Sequence, residues 1–181
     1  YSSAASDVYK RQKKTNALFL VDGAQMSGHA PINVEKQAID ALCVPSHKGM
    51  LGIVGAGALI LSNKARIRPF AFGGTGFDTF SKTMPEDLPE SLEAGTLNLP
   101  ACLSMKEGAD YLSDNVNYVS NQLKNMTEYL ISELSVRPYV KLYSIPNRSG
   151  IVAFSHNDVS SQTLSEILSE RYDLSLIHIS E

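Results

Sequence analysis

Cysteine is scarce in this chain of 181 residues. Cys43 and Cys102 are the only two, too few for a disulfide scaffold and without metal-ligand spacing, so a reduced, cytoplasmic setting is the simpler expectation. Charge of one sign is lacking too. Sixteen Lys and Arg against nineteen Asp and Glu leave a net charge of −3, which excludes a broadly basic nucleic-acid surface. Long apolar runs are absent: the longest apolar-plus-glycine stretch, Gly49 to Leu61, falls well short of the roughly 20 residues that a membrane helix needs. Its glycines point instead to turns around a strand. With no internal repeat and no low-complexity tract, and with 43% hydrophobic and 19% charged residues, the composition is that of a soluble globular chain.

What is present reads as the middle of an α/β sheet. Strands are predicted at Ala17 to Val21, Ala38 to Val44 and Ala58 to Leu61. A long loop, Phe72 to Leu92, contains Pro85 and Pro89 and precedes a helix from about Pro100 to Leu112, where proline suits the first helical position. A second helix is expected over Asp114 to Leu134, with Asp114 as its cap and Val119, Leu123, Met126, Leu130 and Leu134 on its inward face. Pro138 marks a break. Strands at Val140 to Ile145 and Gly150 to Ser155, joined by a turn at Asn147 to Gly150, and a helix from Ser161 to Tyr172 then begin a smaller α/β domain.

Two strand ends carry polar residues of chemical interest. The run Ala17 to Val21 stops at Asp22-Gly23-Ala24-Gln25, and the run to Val44 stops at Pro45-Ser46-His47-Lys48-Gly49. Ligands of open α/β sheets sit beyond the carboxyl ends of the strands, so Asp22, Gln25, His47 and Lys48 can face one crevice. Taken alone, a Lys before Gly is a common solvated turn and Asp-Gly a common strand-end turn. The remaining candidates are blander: Cys43, between Leu42 and Val44, and Cys102, beside Leu99 and Leu103, read as packing residues, and His29 and His156 as surface or turn residues.

Four motifs in order give the chain a family likeness: Val21-Asp22-Gly23-Ala24-Gln25, Ser46-His47-Lys48-Gly49, Gly73-Gly74-Thr75-Gly76 and Glu93-Ala94-Gly95-Thr96-Leu97-Asn98. From about Thr15 to Asp173 it resembles the class V aminotransferase and cysteine desulfurase family of pyridoxal-phosphate enzymes. That resemblance implies the central part of a fold type I large domain over residues 13–137 and the start of the small C-terminal domain over 138–173.

It also implies roles for individual residues. Lys48 matches the lysine that bonds the aldehyde of pyridoxal 5'-phosphate as a Schiff base and afterwards moves protons. Asp22 matches the partner of the pyridine nitrogen, where a carboxylate favours the protonated ring. Gln25 matches the group that hydrogen-bonds the ring hydroxyl, His47 a phosphate contact, and Thr96 the threonine that reaches the phosphate of a neighbouring subunit. Many relatives carry Ser or Thr where this chain has Pro45, which offers neither hydroxyl nor N–H; Ser46 is the nearest substitute.

The implied activity is a desulfurase acting on L-cysteine in a homodimer and passing sulfur to an acceptor protein. A class V aminotransferase and a selenocysteine lyase are the alternatives on the same scaffold, and a catalytically silent fragment is another. The ends are expected to be foreign: residues 1–12 and 174–181 resemble translated sequencing-adapter read-through rather than the family. The family's nucleophilic cysteine and substrate-carboxylate arginine are accordingly expected beyond Asp173.

Overall fold

The computed structural model describes residues 14–15, 17–76 and 80–177. The segment 1–12, expected to be foreign, lies outside the described residues, as do residues 178–181 of the other end. Internal contacts divide the chain into two units, with the boundary between Val116 and Asn117.

The first unit is built on a three-stranded sheet of order β1 (Leu20–Asp22), β2 (Ala41–Pro45) and β3 (Gly57–Leu61). β1 runs parallel to β2, pairing Leu20 with Ala41, Val21 with Leu42 and Asp22 with Cys43. β3 returns antiparallel, pairing Leu42 with Ile60 and Val44 with Ala58. Central β2 is the most buried strand. Leu42 and Val44 alternate onto one face and, with Ile39, form a core against Phe19, Val21, Ile32, Met50 and Met105.

β2 begins three residues later than the sequence suggests. Residues 34–38 coil into a turn in which Ala38 and Ile39 donate to the carbonyls of Glu35 and Val34. Ala38 closes that turn with φ of 51°, a left-handed conformation incompatible with a strand.

Asp40 stitches the sheet at the end opposite the candidate site. Its Oδ2 accepts from the Phe19 N–H at 2.9 Å and its Oδ1 from the Ser62 hydroxyl at 3.1 Å, while its own N–H and carbonyl bond Phe19 and Ser62. Replacing it by alanine strands both donors beside a buried position. Asp40→Ala is therefore expected to cost about 3 kcal/mol, read as a lowered urea midpoint with an unchanged m-value.

The two helices expected on either side of Ser113 are one, α1 (Leu99–Ser135), of 37 residues. Asp114 does not cap a new helix, because neither Gly nor Pro interrupts the path from Leu112 to Val116. Ser113 instead turns its hydroxyl back to the Asp110 carbonyl at 3.0 Å. At the true start, Asn98 is the cap, its Oδ1 accepting from the Ala101 N–H at 3.2 Å. Gly108, within the helix, is buried against the Met50 carbonyl, which a Cβ there would overlap.

In the second unit the inward face of α1 differs from the expected stripe. Met126 and Leu130 are exposed, whereas Ser120 and Thr127 are buried. Hydrogen bonding decides it: the Thr127 hydroxyl lies 2.7 Å from the Asn147 carbonyl, and Arg148 donates to Ser120 Oγ at 3.3 Å. The loop thus clasped joins β4 (Val140–Leu142) to β5 (Phe154–His156), an antiparallel pair. Its turn forms as expected, with Gly150 at φ of 79° and Asn147 Oδ1 accepting from the Ser149 N–H. His156 is half-buried, its ring stacked on Tyr139 at 5.2 Å. The last helix, α2 (Ser161–Tyr172), is capped by the Ser160 hydroxyl and closed by Asp173 in the left-handed conformation.

Candidate active site

The parallel, in-register pairing of β1 and β2 sends their carboxyl ends the same way. Asp22 ends β1, and the Gly23 N–H extends the ladder by one bond to the Cys43 carbonyl at 2.9 Å. Past β2, residues 46–50 form a tight turn in which the Leu51 N–H donates to the Lys48 carbonyl and the Gly52 N–H to the Ser46 carbonyl, both at 2.9 Å. Asp22, Gln25, His47 and Lys48 thus stand at one sheet edge, all exposed.

The Asp22 carboxylate is already oriented: Oδ1 accepts from the Ala24 N–H at 2.9 Å, so Oδ2 remains for a ligand. Gln25 rides on the helical turn that follows, fixed by Met26 and Ser27 N–H groups donating to the Gly23 carbonyl. Ser46 differs from its neighbours. Its Oγ is buried, faces Gly52 beneath the turn and has no hydrogen-bond partner among the described residues.

Thr96 belongs to a second constellation. The Gly95 N–H donates to the Gly74 carbonyl at 2.7 Å, joining the third and fourth sequence motifs. Gly95 has φ of 96°, which a residue with a side chain rarely adopts. Thr96 is exposed two residues before the cap of α1.

An apolar cavity of about 370 Å³ lies elsewhere in this unit, lined by Leu42, Val44, Ile60, Met105 and Leu112 among others. No ionisable side chain lines it, so it lacks the means for acid or base chemistry. Among the described residues no cluster of His, Cys, Asp or Glu could hold a metal ion, and no helix is long and apolar enough to cross a membrane.

The family model for aminotransferase class-V matches residues 3–177. The chain belongs to that family. Within it, a probable cysteine desulfurase of Methanothermobacter thermautotrophicus is 32% identical over 160 residues, covering 85% of this chain and 40% of that protein. A cysteine desulfurase of Escherichia coli is 30% identical over 145 residues, covering 77% and 36%. Among solved structures, the apo cysteine desulfurase of Thermococcus onnurineus NA1 superimposes with a TM-score of 0.72 at 27% identity, covering 89% of this chain and 42% of that one. The NifS-like protein of Rickettsia africae reaches 0.77 at 22% identity over 92% and 43%, a likeness of fold. The chain thus spans about 40% of the length of these relatives, and its sheet and helices are part of the fold type I architecture they share.

The sequence passes over one feature of the site. His29, read there as a surface or turn residue, does lie in a turn but is half-buried. Its ring lies against Gly49, where a Cβ would come within 2.9 Å of Cδ2 and 3.0 Å of Nε2. The only hint in the sequence is a Gly-His pair soon after Gln25.

Proposed function

We propose that this chain carries the cofactor-holding part of a cysteine desulfurase dependent on pyridoxal 5'-phosphate. The observation behind this reading is the in-register parallel pairing of β1 and β2, which ends the strand that carries Asp22 beside the strand that leads into the Lys48 turn. The donor set fits the cofactor: a carboxylate for a ring nitrogen, a carboxamide for a ring hydroxyl, an imidazole and a threonine for phosphate, and a lysine for an aldehyde. When bound, pyridoxal phosphate withdraws electrons from the α-carbon of an amino acid joined to its aldehyde, making the proton there acidic.

In this reading Lys48 would hold the aldehyde through Nζ and would carry the substrate α-proton on the same atom. Asp22, with Oδ1 already engaged by Ala24, would offer its other oxygen to the pyridine nitrogen and favour the protonated ring. Gln25 bonds the ring hydroxyl, and His47 binds phosphate. Thr96 reaches the phosphate held by a second copy in a homodimer. Ser46 contributes through the shape of its turn, its hydroxyl being enclosed. Residues 13–137 then belong to the large domain and 138–173 to the small one.

The substrate is L-cysteine, and the sulfur passes through a thiolate to an acceptor protein in the cytoplasm. Cys43 lies within β2 and Cys102 in the first turn of α1, so neither is assigned as that thiolate.

The test is borohydride reduction of the protein mixed with pyridoxal phosphate, followed by peptide mapping. Label concentrated on Lys48 supports the reading. Label spread over the exposed lysines without preference would overturn it.

A further inference from the structure

The strand ladder alone does not fix Lys48. Its last rung joins Asp22 to Cys43, extended by the single bond from Gly23, and Lys48 lies well beyond it on a turn. A second tether is visible between the turns themselves. Gly28, at φ of 81°, lies so close to Gly49 that a Cβ on it would overlap the Gly49 carbonyl. A Cβ on Gly49 would in return overlap the Ser27 carbonyl. The His29 ring lies beside the same position on Gly49. Backbone therefore meets backbone between the turn that follows Asp22 and the turn that carries Lys48, at a separation only glycine permits.

The far side of the Lys48 turn is held as firmly. The Ser46 N–H donates to the Ala56 carbonyl at 3.1 Å, and the Ile53 N–H to Ser104 Oγ at 2.7 Å. The turn is boxed between α1 and the segment Gly23 to His29. If the contact on the Gly28 side loosens, the freedom gained is movement of Lys48 relative to Asp22.

We propose that the Gly28–Gly49 contact, walled by the His29 ring, is a positioning device that sets the Lys48 amine against the Asp22 carboxylate. The proposal rests on the reading that these two groups hold one cofactor, and it assigns His29 a positioning role. A rigid cofactor held by both groups would tolerate little change between them, and a displacement of about 1 Å would be enough to spoil simultaneous engagement.

The experiment compares the wild-type chain with His29→Ala, His29→Phe and Gly49→Ala, using two readouts. The first is the ratio of pyridoxal phosphate trapped by borohydride on Lys48 to that on exposed Lys64. The second is hydrogen exchange at Leu51 and Gly52, whose N–H groups bond within the Lys48 turn, measured without cofactor. We expect His29→Ala to lower the ratio at least about fivefold and to speed exchange at both amides by a similar factor. His29→Phe, which restores a flat ring, should recover most of both, a rescue that general destabilisation would not give. Gly49→Ala should have the larger effect; if that variant does not fold, the His29 pair decides alone. Unchanged exchange in His29→Ala overturns the positioning device whether or not cofactor is bound. A wild-type ratio near one with exchange faster in His29→Ala would leave the device standing and sink the cofactor reading instead.

Discussion

Lys48→Ala is expected to remove the pyridoxal phosphate trapped at the β2 turn, by at least about tenfold against the wild-type chain, while leaving the melting midpoint where it was. Lys48 is exposed, and substitutions of exposed residues outside special features typically move stability by only about 0.5 kcal/mol. A large loss of label with no loss of fold therefore isolates the amine. Lys48→Arg is the sharper control. Arginine keeps the positive charge that attracts phosphate, yet its guanidinium stays protonated and does not condense with an aldehyde. Equal loss in both variants identifies a covalent role. Retention of label near residue 48 in Lys48→Arg would show that the turn only concentrates an anion near other lysines. In a protein of full family length, the same change should lower turnover by roughly 10²–10⁴-fold, the contribution typical of a positioned proton-transfer group.

The second large effect is expected at Gly108, where two physical terms oppose each other. Alanine is the better helix former by about 1 kcal/mol, so local propensity alone makes Gly108→Ala stabilising. The overlap of its Cβ with the Met50 carbonyl acts the other way, and overpacking at a closed backbone contact costs typically 1–3 kcal/mol, occasionally more. Backbone on both sides leaves no flexible side chain to yield, which places the cost at the upper end. Gly108→Ala should destabilise by about 2 kcal/mol and Gly108→Val by more, read in urea titrations. Because Met50 closes the Lys48 turn, exchange at the Leu51 amide should rise in both. A stabilised Gly108→Ala would mean that α1 withdraws from the sheet without penalty.

Much of the architecture could be read from local pattern. The ends of β1 and β2 were legible because an apolar run meeting Gly or Pro leaves few alternatives, and α2 falls where Ser160 and Asp173 punctuate it. Readings failed where a distant residue decided. Met126 and Leu130 fit a helical stripe as well as Ser120 and Thr127 do in spacing, and better in hydrophobicity; only the carbonyl of Asn147 and the guanidinium of Arg148 turn the face toward the hydroxyls. Ala38 lies in an apolar context that suggests a strand, yet the preceding turn needs a left-handed residue to close.

For the site, the polar residues at the strand ends could be named from motif and position. Their support could not. A glycine in sequence does not disclose whether it serves a flexible turn or a close approach, so the contacts of Gly28, Gly49 and Gly108 became visible only in three dimensions. The enclosure of Ser46 Oγ under its own turn was hidden for the same reason.

The bond from Gly95 to the Gly74 carbonyl has a further consequence. It ties together the two ends, Gly74 and Gly95, of an excursion, and Asn98 then anchors the chain to α1 directly afterwards. Loop-closure entropy grows only logarithmically, by about 0.6 kcal/mol for each doubling of length. The excursion can therefore lengthen, shorten or change sequence over evolutionary time at little thermodynamic cost, while Thr96 keeps its place.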